Sequence, residues 1–139
     1  SNADNKEILW KFINKFHKEI KPTEYPILDR LTKYAINYFK DKVEPNKKFK
    51  KPSTEEKKAL DNLVLKLQTV DQSLKPEEIQ TFVYSVGKEN GYEKNLRDWF
   101  KLIYEVVFGE ENGPRMGYFI SFFGLKETIE LINEKIKNN

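Results

Sequence analysis

The sequence predicts an all-α domain of about seven helices, with no sheet. Its apolar residues recur at intervals of three and four, which is the helical period, and they do not alternate as they do in strands. Proline, glycine and capping residues divide the chain into segments of helical length. With 139 residues, 38% of them hydrophobic, the chain is long enough for one domain with a substantial core.

The first two predicted helices precede a lysine-rich segment. One spans Asp4 to Ile20 and ends near Lys21-Pro22. Thr23 caps the next, which has Pro26 in its first turn and ends before Pro45. Each has an apolar face, formed by Leu9, Phe12, Ile13, Phe16 and Ile20 in the first helix and by Leu28, Leu31, Tyr34, Ala35 and Tyr38 in the second.

The next three predicted helices have recognisable start residues. Ser53 and Glu56 form a Ser-x-x-Glu capping box that opens the third helix. Pro76 opens the fourth, which Gly91 stops, and Asn95 caps the fifth. The residues expected to face the core are Leu60, Leu63, Val64 and Leu67, then Ile79, Phe82, Val83 and Val86, and finally Trp99, Leu102, Ile103, Val106 and Val107.

The segment from Gly109 to Gly124 reads GEENGPRMGYFISFFG and is the most constrained part of the sequence. Gly109 stops the fifth helix. Gly113-Pro114 predicts a short sixth helix that starts at Pro114 and ends near Gly124, with Arg115 at its N-terminus. A last amphipathic helix follows, with an apolar face of Leu125, Ile129, Ile132 and Ile136.

Arg115 is expected to have a negative partner, because a cation at a helix N-terminus is disfavoured by about 0.3–1 kcal/mol unless an anion compensates it. Glu110 and Glu111 lie just upstream, and arginine readily forks a carboxylate. A phosphate or a nucleotide base edge is the alternative, because free amides at a helix N-terminus form an anion site. Tyr118 is the best candidate for a ring that stacks on a base, whereas most other aromatic side chains are expected to fill the core.

Composition argues against several kinds of site. The absence of cysteine excludes disulfides, thiolate metal sites and cysteine nucleophiles, and His17 is the only histidine. The sequence has no phosphate loop, dinucleotide fingerprint or nucleophile elbow, so we expect no catalytic residue and no metal. No apolar run approaches the roughly 20 residues that span a bilayer, and no signal peptide is visible. We therefore expect a cytoplasmic protein with no membrane partner.

The most basic window, Lys40 to Pro52, holds six lysines against two acidic residues, a local charge of +4. Phe49 lies among these lysines, close to Lys48 and Lys50. One interpretation is a basic loop that contacts phosphates while its aromatic ring stacks on a base. The other is a solvated connector, which is the usual role of a lysine-rich segment.

Several segments, in their order and spacing, resemble the carboxy-terminal part of class I lysyl-tRNA synthetase, the form of that enzyme related to glutamyl-tRNA synthetase. The resemblance spans nearly all of residues 4 to 136, and the segment around Gly113-Pro114-Arg115 is its most specific part. The similar segments are Ile8-Leu9-Trp10, Tyr34 to Tyr38, Lys50-Lys51-Pro52, Glu77 to Gln80, Trp99 to Tyr104 and Gly109 to Gly124.

The resemblance implies a helical cage, residues 4 to 139, that holds the anticodon arm of the lysine tRNA. In that family the cage is appended to a Rossmann-type catalytic domain, which attaches lysine to its tRNA using ATP. The HIGH-like and KMSKS-like motifs of the family do not occur here. We therefore expect a non-catalytic fragment with no cofactor of its own, whose partners are the lysine tRNA and the catalytic domain. Ser1-Asn2-Ala3 look like the remnant of a cleaved expression tag, so they are not counted as part of the predicted domain.

The candidate RNA-binding residues are donors and one stacking ring. Lysine anticodons are uridine-rich, and uridine presents carbonyl acceptors to side-chain donors. Arg97 and Lys101 are four residues apart and share a helix face, although Asp98 or Glu105 could instead pair with them. The full set is Arg115, Tyr118, Arg97, Lys101, Lys48 and Lys50. The alternative hypothesis is a helical protein–protein interaction module without RNA specificity, using exposed aromatic residues such as Trp10 and Phe16.

Overall fold

The computed structural model describes residues 49–137, and these residues form five α-helices and no strand. The all-α prediction is confirmed for this part of the chain. The helices predicted from Asp4 and from Thr23 lie outside the described residues, as do Lys48 and His17. The helices are α1 (Thr54–Leu67), α2 (Pro76–Gly87), α3 (Leu96–Val107), α4 (Met116–Phe123) and α5 (Leu125–Lys137).

Helix α1 begins at the predicted capping box. The Glu56 amide donates to Ser53 Oγ at 3.2 Å, and the Ser53 amide donates to Glu56 Oε1 at 2.9 Å. These two bonds satisfy amides that a helix N-terminus otherwise leaves without a partner. The buried face of α1, which includes Leu60 and Leu67, is the one that the spacing predicts.

Helix α2 begins at Pro76, as predicted, and Glu78 Oε1 accepts from the Lys75 amide at 3.1 Å. Its α-helical part ends at Gly87, four residues before the predicted stop at Gly91. The next segment, Lys88–Tyr92, contains a kink, and Gly91 leaves the helical path there with φ of 94°, as expected of a glycine at a helix stop. Beside this kink, the Asn90 side chain donates to the Val86 carbonyl at 2.7 Å and so satisfies a C-terminal carbonyl.

Helix α3 is capped by Asn95, whose side-chain oxygen accepts from the Asp98 amide at 3.3 Å. Trp99 on this helix is completely buried, and its indole N–H donates to the Val83 carbonyl at 3.0 Å. The bond ties α3 to α2. A buried indole without such a partner would be costly, so this contact fixes how the two helices approach.

Two glycines separate the last helices. Gly109, with φ of 72°, follows α3, and Gly124, with φ of 118°, is the single residue between α4 and α5. Other residues rarely adopt such φ values, so glycine is required at these corners. The Thr128 hydroxyl donates to the Gly124 carbonyl at 2.7 Å and closes the α4–α5 corner.

The core lies between all five helices. Helix α2 makes its most extensive helix–helix contacts with α4, and α1 makes its own with α5. Phe108 meets Phe119 edge to face, with ring centroids 5.0 Å apart, and Phe119 stacks on Phe123 at 4.9 Å. The largest fully buried side chains are Leu60, Leu63, Leu67, Val83, Val86, Trp99, Ile103, Met116, Ile120 and Ile132.

Candidate functional site

Arg115 is the N-cap of α4, so its predicted place at a helix N-terminus is confirmed. The Phe119 amide donates to the Arg115 carbonyl at 3.0 Å, which is the first turn of the helix. The predicted start at Pro114 is wrong by two residues. Pro114 stays outside the helix, where its carbonyl accepts from the Tyr104 hydroxyl of α3 at 2.8 Å.

The carboxylate that meets Arg115 is Glu77, in the first turn of α2. Arg115 Nη2 lies 3.4 Å from Glu77 Oε2, and the Tyr118 hydroxyl donates to Glu77 Oε1 at 2.6 Å. The guanidinium carbon also lies 5.9 Å from the centre of the Tyr118 ring, within the range of a cation–π contact. Arg115, Tyr118 and Glu77 therefore form one cluster, called here the Glu77 cluster.

The expectation that Glu110 or Glu111 pairs with Arg115 is wrong in the identity of the carboxylate. Glu111 lies instead 3.9 Å from Lys101. Side chains in the Glu77 cluster are largely exposed, 56% for Arg115 and 64% for Glu77. An ion pair this exposed contributes at most about 1 kcal/mol to stability. Arg115 is therefore compensated but still within reach of a ligand from solvent.

Gln80 holds the start of α4 beside α2 and so helps to place this cluster. The sequence did not indicate this role. The side-chain Oε1 of Gln80 accepts from the Gly117 amide at 2.7 Å, and Gln80 is only 5% exposed. One N-terminal amide of α4 is thus already bound within the protein, which leaves fewer amides for an external anion. A Cβ at Gly117 would lie 2.1 Å from the Pro76 carbonyl oxygen, so glycine permits the close approach of the two helices. In the sequence, the sign of this close approach was Gly117 itself, a single glycine among large apolar residues.

A second surface lies on the exposed side of α3. Arg97, Phe100, Lys101 and Tyr104 follow each other at intervals of three, one and three residues, so they lie on one helix face. Arg97 and Lys101 are exposed, whereas Phe100 and Tyr104 are half-buried. The ring of Tyr84 from α2 meets Phe100 edge to face at 4.9 Å, and Phe100 lies 6.3 Å from Tyr104. This set of four residues with Tyr84 is called here the α3 stripe.

The predicted pairing of Arg97 or Lys101 with Asp98 or Glu105 is not what the structure shows for Lys101, whose ion pair is with Glu111. Asp98 instead serves the start of α3, because its carboxylate accepts from the Asn95 side chain at 2.8 Å. The α3 stripe is connected to the Glu77 cluster through the bond from Tyr104 to Pro114, the residue before Arg115. Four of the six candidate residues therefore belong to two linked surfaces.

Phe49 and Lys50, which belong to the basic window Lys40 to Pro52, contact the helices of the domain. Lys50 Nζ lies 3.0 Å from Glu56 Oε2, and its amide donates to the Glu105 carbonyl at 3.0 Å. The ring of Phe49 carries the Lys135 ammonium 3.4 Å from its centre, and Gly109 approaches the same ring closely. The half-buried Phe49 ring thus packs against α5 and Gly109, and its stacking on a base stays a prediction. The Lys50 side chain is also committed to a carboxylate.

The Lys50–Glu56 pair has shifted pKa values. The hydrogen bond to Glu56 raises the pKa of Lys50. Burial opposes ionisation of Glu56, but the Ser53 amide and the Lys50 ammonium outweigh it, and the pKa of Glu56 lies below its ordinary value. Both shifts favour the charged pair, which fastens the segment before α1 to the N-terminus of that helix.

Neither a metal centre nor a membrane span can be assigned within residues 49–137. No three His, Cys, Asp or Glu side chains gather there as metal ligands would. None of the helices in that range has the length and apolar character needed to cross a membrane.

Comparison with known proteins identifies relatives over nearly the whole chain. It is 38% identical over 135 residues to the lysine–tRNA ligase of Rickettsia bellii, 37% identical to that of Rickettsia felis and 36% identical to that of Rickettsia prowazekii. These alignments cover 97% of the chain but only 25–26% of each relative. No family model and no solved structure matches. The resemblance to lysyl-tRNA synthetase is thus confirmed. The chain spans about a quarter of the length of these relatives. Over 97% of its own length, it is homologous to aminoacyl-tRNA synthetases named lysine–tRNA ligase.

Proposed function

We propose that this chain is the anticodon-arm-binding domain of a class I lysine–tRNA ligase. The whole enzyme attaches lysine to its tRNA in the cytoplasm using ATP, and its catalytic domain is a further partner of this one. This part of the enzyme is non-catalytic and holds no cofactor. Homology to lysine–tRNA ligases supports the assignment to the enzyme, and the exposed surface described above supports the role in RNA binding.

The observation that carries the proposal is the combination of cations and rings on the α3 stripe and the Glu77 cluster. Arg97, Lys101 and Arg115 are exposed, and each lies within four residues of a partly exposed aromatic ring. Unpaired bases are bound by stacking on aromatic side chains while arginine and lysine contact phosphates. The bond between Tyr104 and Pro114 holds the two surfaces together, so one RNA segment can contact both.

The competing hypothesis, a protein–protein interaction module, has less support among the described residues. Leu65 on α1, 61% exposed, and Tyr84 on α2, 37% exposed, are the exposed large hydrophobic side chains of residues 49–137. Two such residues are too few for the extended apolar patch that marks an interaction surface. Trp10 and Phe16, on which that hypothesis also depends, lie outside the described residues.

The proposal is tested by measuring binding of the 139-residue chain to a lysine tRNA transcript and to the same transcript with another anticodon. Fluorescence anisotropy at several salt concentrations gives both affinity and salt slope. We expect tighter binding to the lysine anticodon and an affinity that falls as salt rises. Absence of binding at low salt, or equal binding of the two transcripts, would refute anticodon recognition.

Arg115→Ala is the matching variant, with Lys58→Ala on the exposed face of α1 as a control of equal charge change. Arg115→Ala should weaken binding and reduce the salt slope by about 1, as expected for one lost phosphate contact. Lys58→Ala should leave the slope nearly unchanged. If Arg115→Ala lowers the melting temperature and leaves affinity as it was, the arginine has only a structural role.

A further inference from the structure

The Glu77 cluster contains two hydrogen-bond donors that converge on a single anion. Tyr118 donates to one oxygen of the Glu77 carboxylate, and Arg115 faces the other. A phosphodiester has the same feature, since two non-bridging oxygens on one centre share its negative charge. The arrangement of Arg115 and Tyr118 therefore suits a phosphate as well as it suits a carboxylate.

The Arg115 side of this cluster is weakly held. The distance of 3.4 Å from Nη2 to Oε2 exceeds the usual range for such a bond, about 2.7–3.2 Å. Both side chains are more than half exposed. Because an exposed ion pair of long geometry contributes little, an RNA phosphate that is also held by contacts elsewhere on the protein can take over the guanidinium.

Glu77 is not needed for the start of α2. The neighbouring Glu78 accepts from the Lys75 amide, which is the capping interaction. Glu77 also lies in the first turn of α2, where the helix dipole favours a carboxylate. Its side chain therefore meets Arg115 and Tyr118 without taking part in the capping interaction.

We propose that Glu77 occupies a phosphodiester-binding position in the RNA-free protein, and that an RNA phosphate displaces it from Arg115 and Tyr118. This inference rests on the proposed RNA-binding function. Glu77 acts as an internal competitor: it lowers the affinity for any phosphate and restricts stable binding to RNA that supplies further contacts. The α3 stripe, which the bond from Tyr104 to Pro114 links to this cluster, is the surface proposed to supply them.

The test compares Glu77→Gln with Glu78→Gln in the 139-residue chain, using an RNA hairpin with the uridine-rich anticodon loop of a lysine tRNA. The two variants lose the same charge at adjacent exposed positions, and glutamine at position 78 retains an oxygen for the Lys75 amide. We expect Glu77→Gln to bind about 2- to 5-fold more tightly than the wild type, the equivalent of one released surface ion pair. Glu78→Gln should show a smaller change.

A second expectation concerns Arg115→Ala. If the arginine is the cation that Glu77 restrains, removing it should weaken binding more in the Glu77→Gln background than in the wild type. Urea denaturation of each variant verifies that all compared proteins are folded.

The outcomes separate the two proposals. Tighter binding by Glu77→Gln alone supports the competitor. Equal effects of the two glutamine variants, or weaker binding by Glu77→Gln, overturn it and leave the RNA-binding function in place. If neither the wild type nor any variant binds the hairpin, both proposals are refuted.

Discussion

Replacing Gly117 by alanine tests the packing that places Arg115 and Tyr118 beside Glu77. A Cβ at position 117 would lie 2.1 Å from the Pro76 carbonyl oxygen and 2.6 Å from the Gln80 amide nitrogen. Both are backbone atoms of α2 and cannot rotate away. The N-terminal end of α4 must therefore move from α2 by roughly 1 Å to restore van der Waals contact.

The magnitude follows from two opposing effects. Introducing a methyl group into a well-packed contact costs about 1–3 kcal/mol, and a radial gap of about 1 Å loses up to roughly half of the dispersion attraction between the atoms concerned. Alanine has the higher helix propensity, which returns at most about 1 kcal/mol. We expect Gly117→Ala to lower the free energy of unfolding by about 1–2 kcal/mol.

Urea denaturation followed by far-UV circular dichroism measures this change, provided that the slope with urea is unaltered. Ser121→Ala, on the exposed face of the same helix, is the control and should stay within about 0.5 kcal/mol of the wild type. Gln80→Leu removes the acceptor of the Gly117 amide and should cost about 1–3 kcal/mol by itself. A Gly117→Ala protein as stable as Ser121→Ala would show that α2 and α4 are not in the close contact described here.

Two other predictions concern single bonds. The pKa of Glu56 is lowered in the folded protein, so its contribution to stability is present above the unfolded pKa and is lost as pH falls through the folded value. The free energy of unfolding of the wild type should therefore decrease below about pH 5, and Glu56→Gln, which keeps a capping oxygen, should show a shallower decrease in acid urea titrations. A parallel pH dependence for the two proteins would contradict this. Tyr104→Phe should cost about 0.5–1.5 kcal/mol through loss of the bond to the Pro114 carbonyl, and an unchanged urea midpoint would argue against that bond.

Local patterns in the sequence were sufficient for most of the described helices. The capping box at Ser53, the proline at position 76 and the cap at Asn95 each act on residues within one helical turn, so their effects are visible without tertiary structure. The end of α2 was predictable only in part. Gly91 has the positive φ expected of a helix stop, whereas the side-chain bond of Asn90 to the Val86 carbonyl was not indicated by the sequence.

The partner of Arg115 could not be read from local sequence, because Glu77 is 38 residues away and is brought close only by the packing of α2 on α4. The position of Arg115 at a predicted helix N-terminus indicated that it needs an anion, but electrostatics alone does not distinguish between the carboxylates of the chain. Phe49 shows the same limit. Its lysine neighbours in sequence suggested a loop, which the structure has, but they did not indicate that the lysine in contact with its ring is Lys135 of α5.

The later start of α4 has a consequence for function. Because Pro114 stays outside the helix, its carbonyl is available to Tyr104, and Arg115 is held from two sides: by α3 through Pro114 and by α2 through Glu77. The α3 stripe and the Glu77 cluster are thus joined within the fold, and under the proposed function RNA binding need not spend free energy on bringing them together. Releasing Arg115 from Glu77 then requires only a side-chain movement, whereas shifting the two surfaces relative to each other requires breaking buried contacts such as that of Gln80 with Gly117. Under the proposed function, selectivity for the anticodon arm therefore arises from two surfaces that are joined within the fold, combined with one replaceable carboxylate.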